Sequence, residues 1–145
     1  MSIATTITAL QTVHASITGI TSTPTVIPDN LAPVTLPCVM VWPGPATWNF
    51  AAAGLKRQER EYTIRVYVQP IGQGFAGPRD GYNASAALIE AFAAAYQADI
   101  SLGNKIDTIT AMSDSGVLGG GEQMQYGQQE YWGFVYRLMI VEKAS

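Results

Sequence analysis

One long alternating segment, EYTIRVYVQ at residues 61–69, limits most strongly what this chain can fold into. Tyr62, Ile64, Val66 and Val68 lie on one side of an extended backbone, and polar or amphipathic residues alternate with them on the other side. A period of two over such a length is typical of a β-strand with one face in a core and one face partly in water. Pro70 lacks the N–H group that a strand ladder needs, so we expect the strand to end there.

Two segments before this strand are also predicted to join a sheet. CVMVW at 38–42 is a short apolar run, typical of a strand buried on both faces, and PGP at 43–45 is expected to end it. A new strand then begins at about residue 46. It pairs with the alternating segment through a hairpin that turns around residues 52–54.

The last third of the chain predicts two more strands. KIDTITAMSDSG at 105–116 alternates, and EYWGFVYRLMIVEK at 130–143 is apolar on both faces. A strand that is apolar on both faces is either central in its sheet or in contact with a second subunit. Between the two, GVLGGGEQMQYGQQ at 116–129 is rich in glycine and is predicted to be a flexible tip.

Two helices complete the expected fold. Ser2 can cap a first helix that Gly19 stops, and a second helix is predicted from about Asp80 to Gln97. The apolar stripes expected to face the core are Ile3, Ile7, Leu10, Val13 and Ile17 in the first helix, and Tyr82, Ala86, Ile89, Ala93 and Tyr96 in the second, with Leu88 and Phe92 beside the second stripe. We therefore predict an α+β fold in a single domain, 1–145: a mostly antiparallel sheet of about four to five strands, two helices packed on one face, and long loops.

Charge and hydropathy narrow the classes of partner. The net charge is −3 and the eight Lys and Arg residues are scattered outside one cluster, which disfavours specific nucleic-acid binding. The first residues lack the features of a signal peptide, and the longest run of small apolar residues, 84–95, is too short to span a bilayer. We expect a soluble intracellular protein with no membrane partner.

The residue types that catalysis requires are scarce. His14 is the only histidine and Cys38 the only cysteine, and the acidic residues are spread singly along the chain. His14 is interpreted as a satisfied or solvent-edge histidine and Cys38 as a small core residue. With no paired carboxylates and no ligand spacing, the sequence predicts no catalytic residues, no bound metal and no cofactor.

A glycine loop after the alternating strand needs separate consideration. Gly72, Gly74 and Gly77 have the GxGxxG spacing of a phosphate loop, but the predicted helix starts too far away and its cap, Asp80, would repel an anion. QPIGQG at 69–74 also resembles the pyrophosphate loop of acetyl-CoA-dependent N-acetyltransferases. That resemblance leaves a transferase as an alternative to a turn-rich loop whose Phe75 docks or contacts a partner.

One charged cluster, KRQERE at 56–61, cannot bury both sides of a sheet and must project beyond the core. It is either a solvated hairpin arm or a contact with an identical subunit, where opposite charges would set the register. The predicted subunit contacts are Lys56, Arg57, Glu59, Arg60 and Glu61. The 72–81 and 116–127 loops are the predicted partner-facing segments, with Gly72, Gly74, Phe75, Arg79, Met124 and Tyr126 as their contact residues.

Several stretches together resemble the tail terminator, or minor tail, proteins of long-tailed bacteriophages. They are an N-terminal helix, PCVMVWPG after a proline-rich connector, RQEREYTIRVYV, PIGQGFAGPRDGYNASAALIEAFAAAY and YWGFVYRLMIVEK. The resemblance spans nearly the whole chain as a pattern, not as a diagnostic motif.

This resemblance implies a virion protein of the tail, assembled in the host cytoplasm. Its subunits would form a ring, usually of six, that caps the head-proximal end of the tail tube, stops tube polymerisation and provides the head-tail joining surface. The expected partners are further copies of the chain, the tail tube protein and a head-completion or connector protein. A head-side connector subunit remains an alternative.

Overall fold

A computed structural model describes residues 3–29, 31, 36–50, 56–71, 78–99, 101–102, 108–109 and 116–142. Along the chain these form α1 (Ile3–Ala15), β1 (Cys38–Phe50), β2 (Lys56–Pro70), α2 (Pro78–Ala98), β3 (Thr108–Ile109), β4 (Gly116–Tyr126) and β5 (Gln129–Glu142). The strands form one five-stranded antiparallel sheet in the order β1-β2-β5-β3, and β4 also pairs with β5. The predicted α+β class is confirmed.

The first strand is longer than the sequence predicted. Pro43 and Pro45 do not end it, because a register shift between Pro43 and Ala46 accommodates them and β1 continues to Phe50. Two predicted strands are therefore one strand with an irregularity. Since β1 is the edge of the sheet, the missing proline N–H groups need no partner on its outer side.

Both helices pack on the same face of the sheet, as predicted. Strand β2 contributes the alternating residues of the 61–69 segment to this core, and β5 contributes Phe134, Tyr136, Leu138 and Ile140. Phe92 of α2 has its ring 5.5 Å from that of Tyr136 in a stacked arrangement. Strand β5 has neighbours on both edges, so the expectation of a central strand is confirmed.

The buried sides of the two helices differ from the predicted stripes. In α1, Ile3 is exposed whereas Thr6, Gln11 and His14 are buried with Leu10. In α2, Tyr82 is 60% exposed and the buried residues are Ser85, Leu88, Phe92 and Tyr96. Each helix is thus rotated about its axis relative to the prediction, and α1 is rotated because it buries polar side chains that hydrogen-bond to one another.

The face of the sheet opposite the helices holds a second, smaller cluster of buried residues. Its members are Leu31, Cys38, Met40, Tyr67, Met124 and Tyr131. The connector between α1 and β1 covers this cluster, since the Tyr126 hydroxyl donates to the Pro28 carbonyl and Ser22 bridges to Cys38. Cys38 is buried, as predicted. The connector therefore belongs to the packed body instead of only crossing the surface.

The predicted flexible tip is wrong for the greater part of its length. Residues Gly116–Tyr126 form β4, which pairs with β5 from Gly116↔Arg137 to Tyr126↔Gln129. Gly127 and Gln128 make a two-residue turn, in which Gly127 has φ +63°. Such tight hairpin turns require a residue with positive φ, and glycine takes that conformation at little cost.

Candidate subunit interface

One part of the second sheet face lies beside the second core cluster, and we call it the outer face. It consists of Trp42 on β1, Glu61, Thr63 and Arg65 on β2, and Arg137 and Met139 on β5. Trp42 lies opposite Thr63, and Thr63 lies opposite Arg137, so the three form one row across the sheet. Met139 is half-buried, and it is a large apolar residue in a central strand.

Trp42 and Arg65 form the most defined contact on the outer face. The Arg65 guanidinium carbon lies 5.2 Å from the centroid of the Trp42 ring, within the range of a cation–π interaction. Trp42 is half-buried at the border of the second cluster, and Arg65 is exposed. Tryptophan and arginine are enriched among the residues that contribute most to protein–protein binding. A stacked pair of this kind is a rigid, amphipathic surface on which a partner chain can pack.

Strands β1 and β2 carry the charged segment and remain paired as far as Phe50↔Lys56. The described part of β5 pairs with β2 as far as Gln58↔Glu142. Lys56 and Arg57 lie in β2 next to that last pair, and their side chains lie outside the described part of the chain. Projection of these two residues beyond the core therefore stays a prediction.

Arg60 differs from the other residues predicted to be subunit contacts. It lies on the helix face, where its Nη1 donates to the Gly44 carbonyl at 2.9 Å and its Nε lies 3.6 Å from Glu142 Oε1. Glu142 is only 3% exposed and also accepts a hydrogen bond of 2.6 Å from the Tyr62 hydroxyl. Arg60 therefore neutralises a buried carboxylate of its own chain. Glu59 and Glu61 are half-buried and share the face of the outer residues.

We expect the Tyr62→Phe substitution to lower the free energy of unfolding by about 2 kcal/mol, because Glu142 would lose a hydrogen bond in a buried site. Burial and Glu142 together raise the pKa of the Tyr62 hydroxyl, so it remains a donor at neutral pH. Urea denaturation at pH 7 measures the change. Tyr82→Phe removes an exposed hydroxyl and is the matched control, with an expected change near zero. Equal stability of the two variants would contradict a role for this hydrogen bond.

The residues of the two predicted partner-facing loops have different environments. Gly72, Gly74 and Phe75 lie outside the described residues, and Arg79 is exposed on the first turn of α2. Met124 is 8% exposed in the second core cluster, and Tyr126 is half-buried with its hydroxyl bonded to Pro28. Met124 and Tyr126 thus face their own connector, which leaves Arg79 as the exposed loop residue among those described.

The start of α2 is relevant to two hypotheses about the glycine loop, that it is a GxGxxG phosphate loop or the pyrophosphate loop of an acetyltransferase. The helix begins at Pro78, directly after Gly77 and two residues earlier than predicted. Proline at the first helical position removes one of the N–H groups that would otherwise meet a phosphate. Gln69, the first residue of the acetyltransferase-like loop, is paired with Trp132 in the sheet. The chemistry of this helix start is unsuited to an anion.

His14 was interpreted as either satisfied or at the solvent edge, and in the structure it is a buried histidine with both ring nitrogens hydrogen-bonded. Gln11 Nε2 donates to the Pro24 carbonyl at 2.7 Å and to the Val39 carbonyl at 2.9 Å, which leaves Gln11 Oε1 as an acceptor. His14 Nδ1 therefore carries the proton and donates to that oxygen at 2.8 Å. His14 Nε2 then accepts from the Tyr96 hydroxyl at 2.5 Å. Burial lowers the pKa of His14 to about 3, so the ring is neutral at physiological pH.

Two features are absent from the part of the chain that the structure describes. Among those residues, no group of three or more His, Cys, Asp or Glu side chains could hold a metal ion. Within the same residues, no helix has both the length and the hydropathy to span a bilayer.

Trp42, Arg65 and Met139 are site residues that the sequence did not single out. The alternation in β2 did predict one half-wet face, and Arg65 lies on it. Trp42 was interpreted as part of a strand buried on both faces, which holds for Cys38–Val41 but not for Trp42 itself.

Searches for related sequences find that no protein-family model and no curated protein match this chain.

Proposed function

We propose that this chain is a structural subunit that assembles with copies of itself into a ring. In this proposal the ring caps the head-proximal end of a phage tail tube, stops its polymerisation and offers a surface for joining to the head. The observation that carries the proposal is the outer face, where Trp42, Arg65 and Met139 share the side of the sheet opposite the helices and Arg65 lies over the Trp42 ring. The resemblance of the sequence pattern to tail terminators supplies the class of assembly.

The mechanism would be steric. A ring requires heterologous contacts, in which one surface of a subunit fits a different surface of the next. The outer face would be one of these surfaces. Lys56 and Arg57 of β2 would reach toward a neighbouring subunit and set its register by charge. A closed ring leaves no free surface to which the next tube subunit could add.

The composition of the outer face supports contact with protein more than exposure to solvent. Aromatic residues, methionine and arginine are enriched at protein interfaces, whereas lysine and glutamate are depleted. Trp42, Arg65, Arg137 and Met139 match the enriched types, and Glu61 at the end of the face is the charged exception. Because the Arg65 guanidinium already lies over the Trp42 ring, this pair would lose less side-chain entropy on binding than two separate side chains.

Native mass spectrometry of the purified chain, alone and with tail tube protein, tests the proposal. A ring predicts a mass that is a whole multiple of 15.5 kDa, at least when tube protein is present. A monomer under both conditions would contradict it. Binding to a portal-proximal protein in a pull-down, without binding to tube protein, would instead identify a head-side connector.

We expect Trp42→Ala to weaken subunit association by about 2 kcal/mol, or roughly 30-fold, because it removes the centre of the proposed contact. Sedimentation velocity over a concentration series measures the dissociation constant. Tyr82→Ala is the matched control, since it removes an aromatic ring that is 60% exposed on the helix side of the fold. The outer face is not the interface if the two variants associate equally well.

A further inference from the structure

The connector between α1 and β1 presents an exposed apolar turn, Pro24–Pro28. Within it, Val26 is 79% exposed and Ile27 is 43% exposed. Single exposed apolar residues are common on protein surfaces, but two adjacent branched ones on a turn form a small hydrophobic protrusion.

Hydrogen bonds hold both ends of this turn. Gln11, which is buried in α1, donates to the Pro24 carbonyl at 2.7 Å. Tyr126 of β4 donates its hydroxyl to the Pro28 carbonyl. The two prolines also restrict the backbone at these anchor points. The side chains of Val26 and Ile27 are therefore held outward by a fixed scaffold, and little conformational entropy would be lost if a partner covered them.

The same chain has an open apolar cleft of about 500 Å³ on the helix side of the sheet. It lies where the connector, the end of β2 and the first half of α2 meet. The described residues that line it are Gly19, Leu36, Pro37, Val68, Gln69, Pro70, Ala84 and Leu88. Gln69 alone among them has a polar side chain, and its Oε1 has no hydrogen-bond partner within the described part of the chain. This volume lies in the range of specific binding pockets.

We propose that the Pro24–Pro28 turn of one copy docks into this cleft of a second copy. Branched apolar side chains match the apolar lining, and a backbone N–H of the turn can donate to Gln69 Oε1 after a rotation of that side chain. The turn does not fill the cleft of its own chain, because Val26 is exposed while its two anchors are intact. The inference rests on the proposed self-assembly, and it names a second pair of complementary surfaces besides the outer face.

Cysteine pairing between two separately made chains tests the contact. One chain carries Val26→Cys and an affinity tag, and the other carries Ala84→Cys. We expect mild oxidation of the mixture to give at least tenfold more tagged–untagged dimer than a mixture of Val26→Cys with Glu90→Cys. Glu90 is exposed on the same helix and does not line the cleft. A disulfide needs α-carbons within about 7 Å, so only a docked turn can form it efficiently.

Cys38 does not interfere, since it is 1% exposed and burial raises the pKa of its thiol. Equal yields from the two mixtures would overturn the docking proposal. The native mass separates this outcome from failure of the proposed function. A ring without the specific disulfide removes only the turn-to-cleft contact, whereas a monomeric mass with the specific disulfide removes the ring and keeps the contact as a weak self-association.

Discussion

The Gly133→Ala variant is expected to lose about 3 kcal/mol of unfolding free energy or more, because the added methyl group has no space. A Cβ atom at this position would lie 2.1 Å from the Val66 carbonyl oxygen and 2.9 Å from Met124 Sδ. The Met124 side chain can move aside, but the Val66 carbonyl is backbone in the neighbouring strand. The ladder between β2 and β5 would therefore have to open beside the register shift at Tyr67/Gln69.

Thermal unfolding measures this loss, which corresponds to a fall of about 10 °C in melting temperature for a chain of this size. Gly127→Ala is the matched control, because its Cβ would meet nothing within 4 Å although its φ is +63°. That variant should lose only about 1 kcal/mol for the left-handed backbone. A Gly133→Ala variant as stable as Gly127→Ala would mean that β2 and β5 are less closely paired than described.

The sequence predicted the architecture of the sheet but not all of its strands. The period-two patterns of β2 and β5 were strong enough to place both strands, and β5 in the centre. The strand β4 was missed because its first half is glycine-rich, and such composition is more typical of loops. Its second half, Gln123–Tyr126, does alternate polar with apolar residues and ends at a glycine turn, a signal that could have been used.

A stripe of apolar residues alone did not predict which side of each helix is buried. Hydropathy places Gln11 and His14 on the outside of α1, yet both are buried because each finds a hydrogen-bond partner there. A buried polar group is tolerated when it is paired, and its partner Tyr96 is 82 residues away in the sequence. Partners so distant along the chain cannot be read from local periodicity.

The candidate interface was predicted in part. The sequence predicted that one face of β2 is half wet, and Arg65 lies on that face. It could not show that Arg60 pairs with Glu142, because that contact depends on the register of two strands about 80 residues apart. It could not show the Trp42–Arg65 contact either, since that contact depends on the register of β1 against β2, in which Trp42 lies opposite Thr63.

Acidification is expected to destabilise the chain through His14. Its pKa is about 3 in the fold and 6.5 in the unfolded chain, because burial disfavours the charged ring. Below pH 6.5 the unfolded state binds a proton that the folded state does not, so unfolding becomes more favourable as pH falls. The stabilisation is fully present above pH 6.5 and is lost by about 1.4 kcal/mol per pH unit down to about pH 3. At pH 5 the expected loss is about 2 kcal/mol.

Urea denaturation at pH 7, 6, 5 and 4 measures this slope, and His14→Gln separates it from the titration of carboxylates. The glutamine amide stays uncharged at every pH, and its carbonyl can accept from the Tyr96 hydroxyl as His14 Nε2 does. The variant is expected to be less stable at pH 7 but to have a shallower dependence on pH. Parallel curves for the two proteins would mean that His14 gains its proton in the folded chain, which requires the contacts with Gln11 and Tyr96 to open without unfolding. Such an opening would loosen α1 from the sheet, because Gln11 also bonds the Val39 carbonyl of β1.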